Sequence, residues 1–81
     1  MDAYELWEMR SGNLMGSFPT EQEALTTLGE AVRRYGPAYA DTIALTWENG
    51  DESKDLAAGR ALADLATRVL VDHERKSRRT P

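Results

Sequence analysis

The side chains of this 81-residue chain that could do chemistry fall into three groups: one histidine, an acidic cluster around an Asn-Gly pair, and a basic run near the C-terminus. His73 stands between Asp72 and Glu74. A general base needs a partner that positions it and a pocket that receives substrate, and the residues around His73 supply neither, so it reads as a helix-end side chain. With one histidine and no cysteine, a zinc centre would be held mainly by carboxylates, which is not how structural zinc is bound. No metal site and no cofactor is expected. Glu48, Asn49, Asp51, Glu52 and Asp55 crowd one turn and present oxygen ligands, but the DxDxDG spacing of a calcium loop is absent; this is a solvated hairpin tip. No Ser-His-Asp grouping with elbow glycines occurs, and no glycine-rich stretch ends in Gly-Lys followed by Ser or Thr. Neither acyl transfer nor phosphate cradling has a signature. The chain reads as non-enzymatic.

Charge is distributed unevenly. Residues 1 to 72 carry thirteen acidic and six basic side chains, a net of -7, whereas 73 to 81 carry Arg75, Lys76, Arg78 and Arg79 against Glu74, a net of +3. An acidic body argues against a large phosphate-binding surface, because nonspecific nucleic-acid affinity comes from neutralising phosphates with Lys and Arg. The tail alone could make such contacts. Its simpler role is a solubilising end that also complements a helix dipole.

A chain of this length makes one domain and buries only about 60% of its unfolded surface, so its stability is modest unless a partner or a second copy adds to it. The absence of cysteine removes disulfides and thiolate chemistry together. Met1 is followed by Asp2 and Glu5 rather than by a basic region and an apolar run, so no signal peptide is read. No apolar segment is long enough to span a bilayer. The expectation is a cytoplasmic protein with no membrane partner and no small-molecule substrate.

The elements that must position these residues follow from periodicity. Thr20 to Pro37 carries the start, stripe and stop of one amphipathic helix. Thr20 and Glu23 form a capping-box pair, and Ala24, Leu25, Leu28, Ala31, Val32 and Tyr35 recur on one face. Gly36 and Pro37 end it. Gly29, inside this helix, costs roughly 1 kcal/mol against alanine and marks close approach to another backbone. Ala3 to Met9 alternates, with Tyr4 and Leu6 on one side and Trp7 and Met9 on the other. Ser11-Gly12-Asn13 turns the chain, and Leu14 to Phe18 returns with Leu14, Gly16 and Phe18 together. Thr42 to Trp47 is the clearest strand, and Asn49-Gly50 predicts a return over Ser53 to Ala57. The competing reading starts the next helix at Ser53 or Asp55 and leaves three strands. Gly59 to about His73 is the second helix, with Ala58, Ala61, Leu62, Leu65, Ala66 and Val69 as its stripe. The expected fold is α+β, a two-layer ββαββα domain over 1-73 with an antiparallel three- to four-stranded sheet and two helices on one face. Residues 74-81 form a flexible basic tail.

The run YELWEMRSGNLMGSFPTEQEAL, followed by YADTIALTWENGDE, resembles a group of small, uncharacterised bacterial proteins sharing a YELW strand, an SGN turn, a TEEEAL-like helix start and a second hairpin. The likeness covers most of residues 4 to 66. It implies a bacterial, stand-alone domain and brings no catalytic or binding residues with it. The hairpin-then-helix order is also similar in topology to HicB-type antitoxins and to the arm-binding domains of phage integrases, although the basic sheet face of an integrase arm domain is missing.

Trp7, Met9 and Met15 project from the hairpin. Either they form an exposed apolar patch on the side that the helices leave bare, which marks an interface, or they are core and the opposite side is the outer one. The functional expectation is a small interaction or regulatory module, antitoxin-like, that binds a protein partner or itself as a homodimer through its sheet face or edge. The alternative is a nucleic-acid accessory using Arg75, Lys76, Arg78 and Arg79.

Overall fold

Alternation within four short strands decides which side of the sheet is covered. The computed structural model describes residues 2–77. The elements are β1 (Ala3–Glu8), β2 (Asn13–Phe18), α1 (Glu21–Tyr35), a 3-10 turn (Pro37–Ala40), β3 (Ile43–Glu48), β4 (Ser53–Ala58) and α2 (Gly59–Ser77). The strands form one antiparallel sheet in the order β2-β1-β3-β4. Each ββα half thus contributes its first strand to the centre and its second to an edge. The fold is the expected α+β arrangement with all four strands formed, and the chain does not enter its second helix until Gly59.

Leu6 lies opposite Leu45, and Tyr4 opposite Trp47, across the central β1–β3 ladder. Leu6, Ile43 and Leu45 are buried with Ala24, Leu25, Leu28 and Val32 of α1 and with Leu62, Ala63 and Ala66 of α2. Both helices therefore cover the Leu6 side. Among the described residues no polar or charged side chain is buried, so the core is held by apolar burial alone.

The boundaries of α1 match its sequence signals. Thr20 sits in extended backbone, and its hydroxyl accepts a 3.1 Å bond from the Glu23 N–H. Among the described residues the reciprocal bond from the Thr20 N–H to the Glu23 carboxylate is not formed, so half of the capping box is present. Gly36, at φ 95°, adopts a conformation that a side chain disfavours and donates its N–H to Val32 at 2.7 Å. A Cβ placed on Gly29 would stand 2.7 Å from the Ala66 carbonyl oxygen and 2.9 Å from the Leu70 Cβ. The glycine is where the two helices touch.

Three expectations about the helices are corrected. Tyr35 is exposed rather than part of the α1 stripe; its ring stacks on Tyr39 at 5.3 Å between centroids. The buried stripe of α2 is Leu62, Ala63, Ala66 and Leu70, while Ala58 and Ala61 are exposed. The α1 contact at Gly29 falls on Ala66 and Leu70, which turns the covered face away from Ala61, and alanines on every side of a helix do not indicate which side is inward. The helix also continues through Glu74 to Ser77, past the expected boundary at His73, and Glu74 takes both Arg33 guanidinium nitrogens at 2.5 and 2.6 Å. That pair raises the Arg33 pKa, chiefly through the hydrogen bond.

Each outer strand is interrupted once. In β2, Gly16 faces Leu6 and Leu14 faces Trp7, so Met15 is an extra residue and both Leu14 and Met15 oppose Trp7. In β4, Ala57 faces Leu45 and Asp55 faces Thr46, leaving Leu56 as the extra residue. The β2 bulge overturns the grouping of Leu14 with Gly16 and Phe18. Leu14 joins the Trp7 side.

Candidate functional site

The side of the sheet away from the helices is assembled by register. It carries Glu5 and Trp7 from β1, Ala44, Thr46 and Glu48 from β3, Leu14 and Ser17 from β2, and Asp55 and Ala58 from β4. No helix lies over it.

Its apolar groups gather toward the end of the sheet where β1 finishes. Trp7 is half-buried, whereas Met9, Leu14 and Met15 are 62%, 48% and 43% exposed, an unusual concentration of uncovered large apolar side chains for so small a domain. Trp7 of β1, Ala44 and Thr46 of β3, and Leu56, Ala57 and Ala58 of β4 line a groove of about 580 Å³ that also reaches Met9 and Gly12; Leu56 packs in part against the core as well. Asp55 lines the same groove. Toward the other end of the strands the face becomes acidic, with Glu5 opposite Thr46 and Glu48 opposite Ser53. Among the described residues, the four strands present no lysine or arginine on this side; Lys54 pairs with Trp47 and so projects to the helix side.

The β1–β2 turn that ends the groove is held by Glu8. Its carboxylate accepts hydrogen bonds from the Thr42 side chain, from the Ser11 hydroxyl and N–H, both at 2.7 Å, and from the Arg10 N–H at 3.3 Å. Because these donors favour the ionised form, the Glu8 pKa is lowered from 4.5 to about 2. The Met9 N–H donates to the Thr42 carbonyl at 2.7 Å, continuing the tie to β3. The backbone beneath an exposed methionine is thus fixed from two directions.

The remaining candidates lie elsewhere. His73 is exposed, with Nδ1 3.2 Å from Gln22 Nε2, beside a shallow cavity of about 410 Å³ between the helices that is lined by residues of both charges. In the acidic hairpin, the Asn49 side-chain oxygen accepts from the Asp51 and Glu52 N–H groups at 3.1 and 2.8 Å, so it is spent on closing the turn. No three His, Asp or Glu side chains among the described residues come together as a metal site. Arg75 and Lys76 are exposed at the end of α2, with Lys76 3.6 Å from Asp72. Arg78 and Arg79 lie outside the described residues.

Sequence reasoning placed Trp7 and Met9 together, and they line one groove. Met15 stands across the β2 bulge from them, beside Leu14. Leu56, which also lines the groove, is the extra residue of the β4 bulge, a relation between two strands that alternation along one strand does not show.

No family model, curated protein or solved structure matches this chain. No helix among the described residues is long and apolar enough to cross a membrane.

Proposed function

We propose that the protein is a small regulatory module that binds another protein through the uncovered sheet face. The observation that carries this reading is the groove between Trp7 and Leu56, bordered by the exposed Met9. Uncovered apolar groups on one face cost solubility unless something covers them, and a floor of small residues between two taller walls receives side chains well.

The face is favoured over an edge. Both edge strands carry a bulge, a device that twists an edge away from pairing with a further strand. A different protein is favoured over a second copy. Copies packed face to face would bring Glu5, Glu48 and Asp55 into a surface that holds only acidic charge. The four strands span roughly 20 by 19 Å, or about 400 Å², about half of the ~800 Å² that each side of a stable interface buries. A transient, regulatory contact fits those dimensions.

Affinity capture from the native host with the tagged chain tests the reading. A specifically captured protein is expected to be lost with Trp7→Asp and with Met9→Glu, and kept with Thr67→Glu on the exposed side of α2. A partner retained by both sheet-face variants contradicts it.

A further inference from the structure

We propose that the occupant of the groove is an amphipathic helix of a partner protein, with one row of apolar side chains followed by lysines or arginines. This inference rests on the docking-face reading above and adds the chemistry of what docks. Three observations support it.

The first is shape. The walls, Trp7 on β1 and Leu56 on β4, stand on strands two places apart, which is about 10 Å at ordinary strand spacing. The floor strand β3 presents only Ala44 and Thr46 there. A helix laid along β3 can lower one row of side chains, spaced three and four residues apart, between those walls. An extended peptide would instead seek unpaired backbone at an edge, and both edges are bulged.

The second is charge. Along β3 the uncovered face passes from Ala44 and Thr46, which line the groove, to Glu48 beyond it, and the flanking partners pass from Trp7 to Glu5 and from Ala58 to Asp55, the one carboxylate that lines the groove itself. Apolar contact is therefore offered at one end and three carboxylates toward the other, with no lysine or arginine among the described strand residues on that side. Successive residues on one face of a strand are about 7 Å apart, so the partner's basic residues belong one to two helical turns beyond its apolar anchors. Complementary charge of this kind speeds encounter and sets orientation.

The third is preorganisation. The β1–β2 turn beneath Met9 is fixed by the Glu8 carboxylate, with Ser11 Oγ at 2.7 Å, and by the Met9–Thr42 backbone bond. A methionine on such a base is a compliant apolar contact that adapts to different side chains, while the turn that carries it is held in place.

A selection from random peptides tests the proposal. A displayed library of peptides of about 14 residues, matching the ~20 Å strand length at 1.5 Å per residue, is selected on the immobilised full chain. Enriched peptides are then measured against Trp7→Asp, Met9→Glu and the double variant Glu5→Lys/Asp55→Lys, each checked for native circular dichroism. Enrichment of aliphatic or aromatic residues at helical spacing followed by Lys or Arg is expected. Binding should weaken at least about tenfold in every variant, the loss expected for a principal contact, and should fall with added salt. Acidic or uncharged peptides that still lose affinity for Trp7→Asp would overturn the basic-helix proposal and leave the docking face standing. So would a period-two pattern, which indicates an extended ligand. Peptides that bind both Trp7→Asp and Met9→Glu as well as the parent chain, or the absence of any enrichment, would overturn both readings. A dimer seen by light scattering and dissolved by Met9→Glu would assign the face to a second copy and overturn the partner.

Discussion

Trp7 and Leu14 face each other across the β1–β2 ladder, one residue out of strict alternation, because Met15 is an extra residue in β2. Without the bulge, Leu14 would point with Gly16 and Phe18 toward the helices. With it, the uncovered face gains a fourth large apolar side chain beside Trp7, Met9 and Met15. One irregular residue thus enlarges the candidate interface while making the β2 edge a poorer template for strand addition.

The two faces of the sheet should differ sharply in what mutation costs. Leu45 is fully buried and Met9 is 62% exposed. Leu45→Ala should lower unfolding free energy by about 2–5 kcal/mol, a large part of what so small a domain has. Met9→Glu should change it by about 0.5 kcal/mol or less. Urea denaturation of both variants, followed by circular dichroism, makes the comparison; a large loss for Met9→Glu would place that side chain in the core.

At Gly29 two effects oppose each other. Alanine raises helix propensity by roughly 1 kcal/mol, but its Cβ would meet the Ala66 carbonyl at 2.7 Å and the Leu70 Cβ at 2.9 Å. The nearer obstacle is backbone and cannot rotate away. Overpacking of this kind costs about 1–3 kcal/mol, so Gly29→Ala should be net destabilising. An increase in melting temperature would contradict the contact.

How much of this was legible in the sequence depended on whether the signal was local. The ends of α1 were readable because Thr20, Glu23, Gly36 and Pro37 act on their own neighbours. The fourth strand followed from Asn49-Gly50, although the loop formed is the four residues between Glu48 and Ser53 rather than a two-residue turn. The bulges at Met15 and Leu56 were not legible, since each is a relation between two strands. Alternation alone therefore put Leu14 on the wrong side and gave no reason to choose Leu56 as a wall. Tyr35 falls on the helical angle of the stripe but is the last residue of α1, where its ring stacks on Tyr39 instead of entering the core. Trp7 and Met9 are legible because alternation holds along β1 to Glu8 and the Met9 N–H, in the turn just past it, still bonds to the Thr42 carbonyl.

Stability should respond to acid through Glu8. Its folded-state pKa of about 2 lies below the ordinary 4.5, so the folded protein favours the ionised carboxylate. The contribution is fully present above pH 4.5 and is lost as pH falls from there through about 2. Glu8→Gln should thus be less stable than the parent chain at neutral pH, with the difference shrinking across that window. Chemical denaturation of both proteins at several pH values provides the check. An unchanging difference would mean that the Thr42 and Ser11 hydrogen bonds do not set the Glu8 ionisation.

Removing the α1 cap should have a local and modest effect. Thr20→Ala deletes the acceptor 3.1 Å from the Glu23 N–H and should cost about 1 kcal/mol. Thr20→Asp should restore most of that, because aspartate caps equally well and adds a negative charge at the helix N-terminus. Equal losses for both substitutions in thermal denaturation would argue against capping as the cause.

The most direct test of the docking face is nuclear magnetic resonance on the isotope-labelled chain titrated with a lysine-bearing amphipathic peptide taken from the selection. The account predicts that the amide signals of Trp7, Ala44, Thr46, Leu56 and Ala58 shift together and saturate, while those of Thr27 and Thr67 on the outer sides of the helices stay in place. Shifts centred on Thr27, Thr67 or the end of α2, with the sheet signals unmoved, would contradict it.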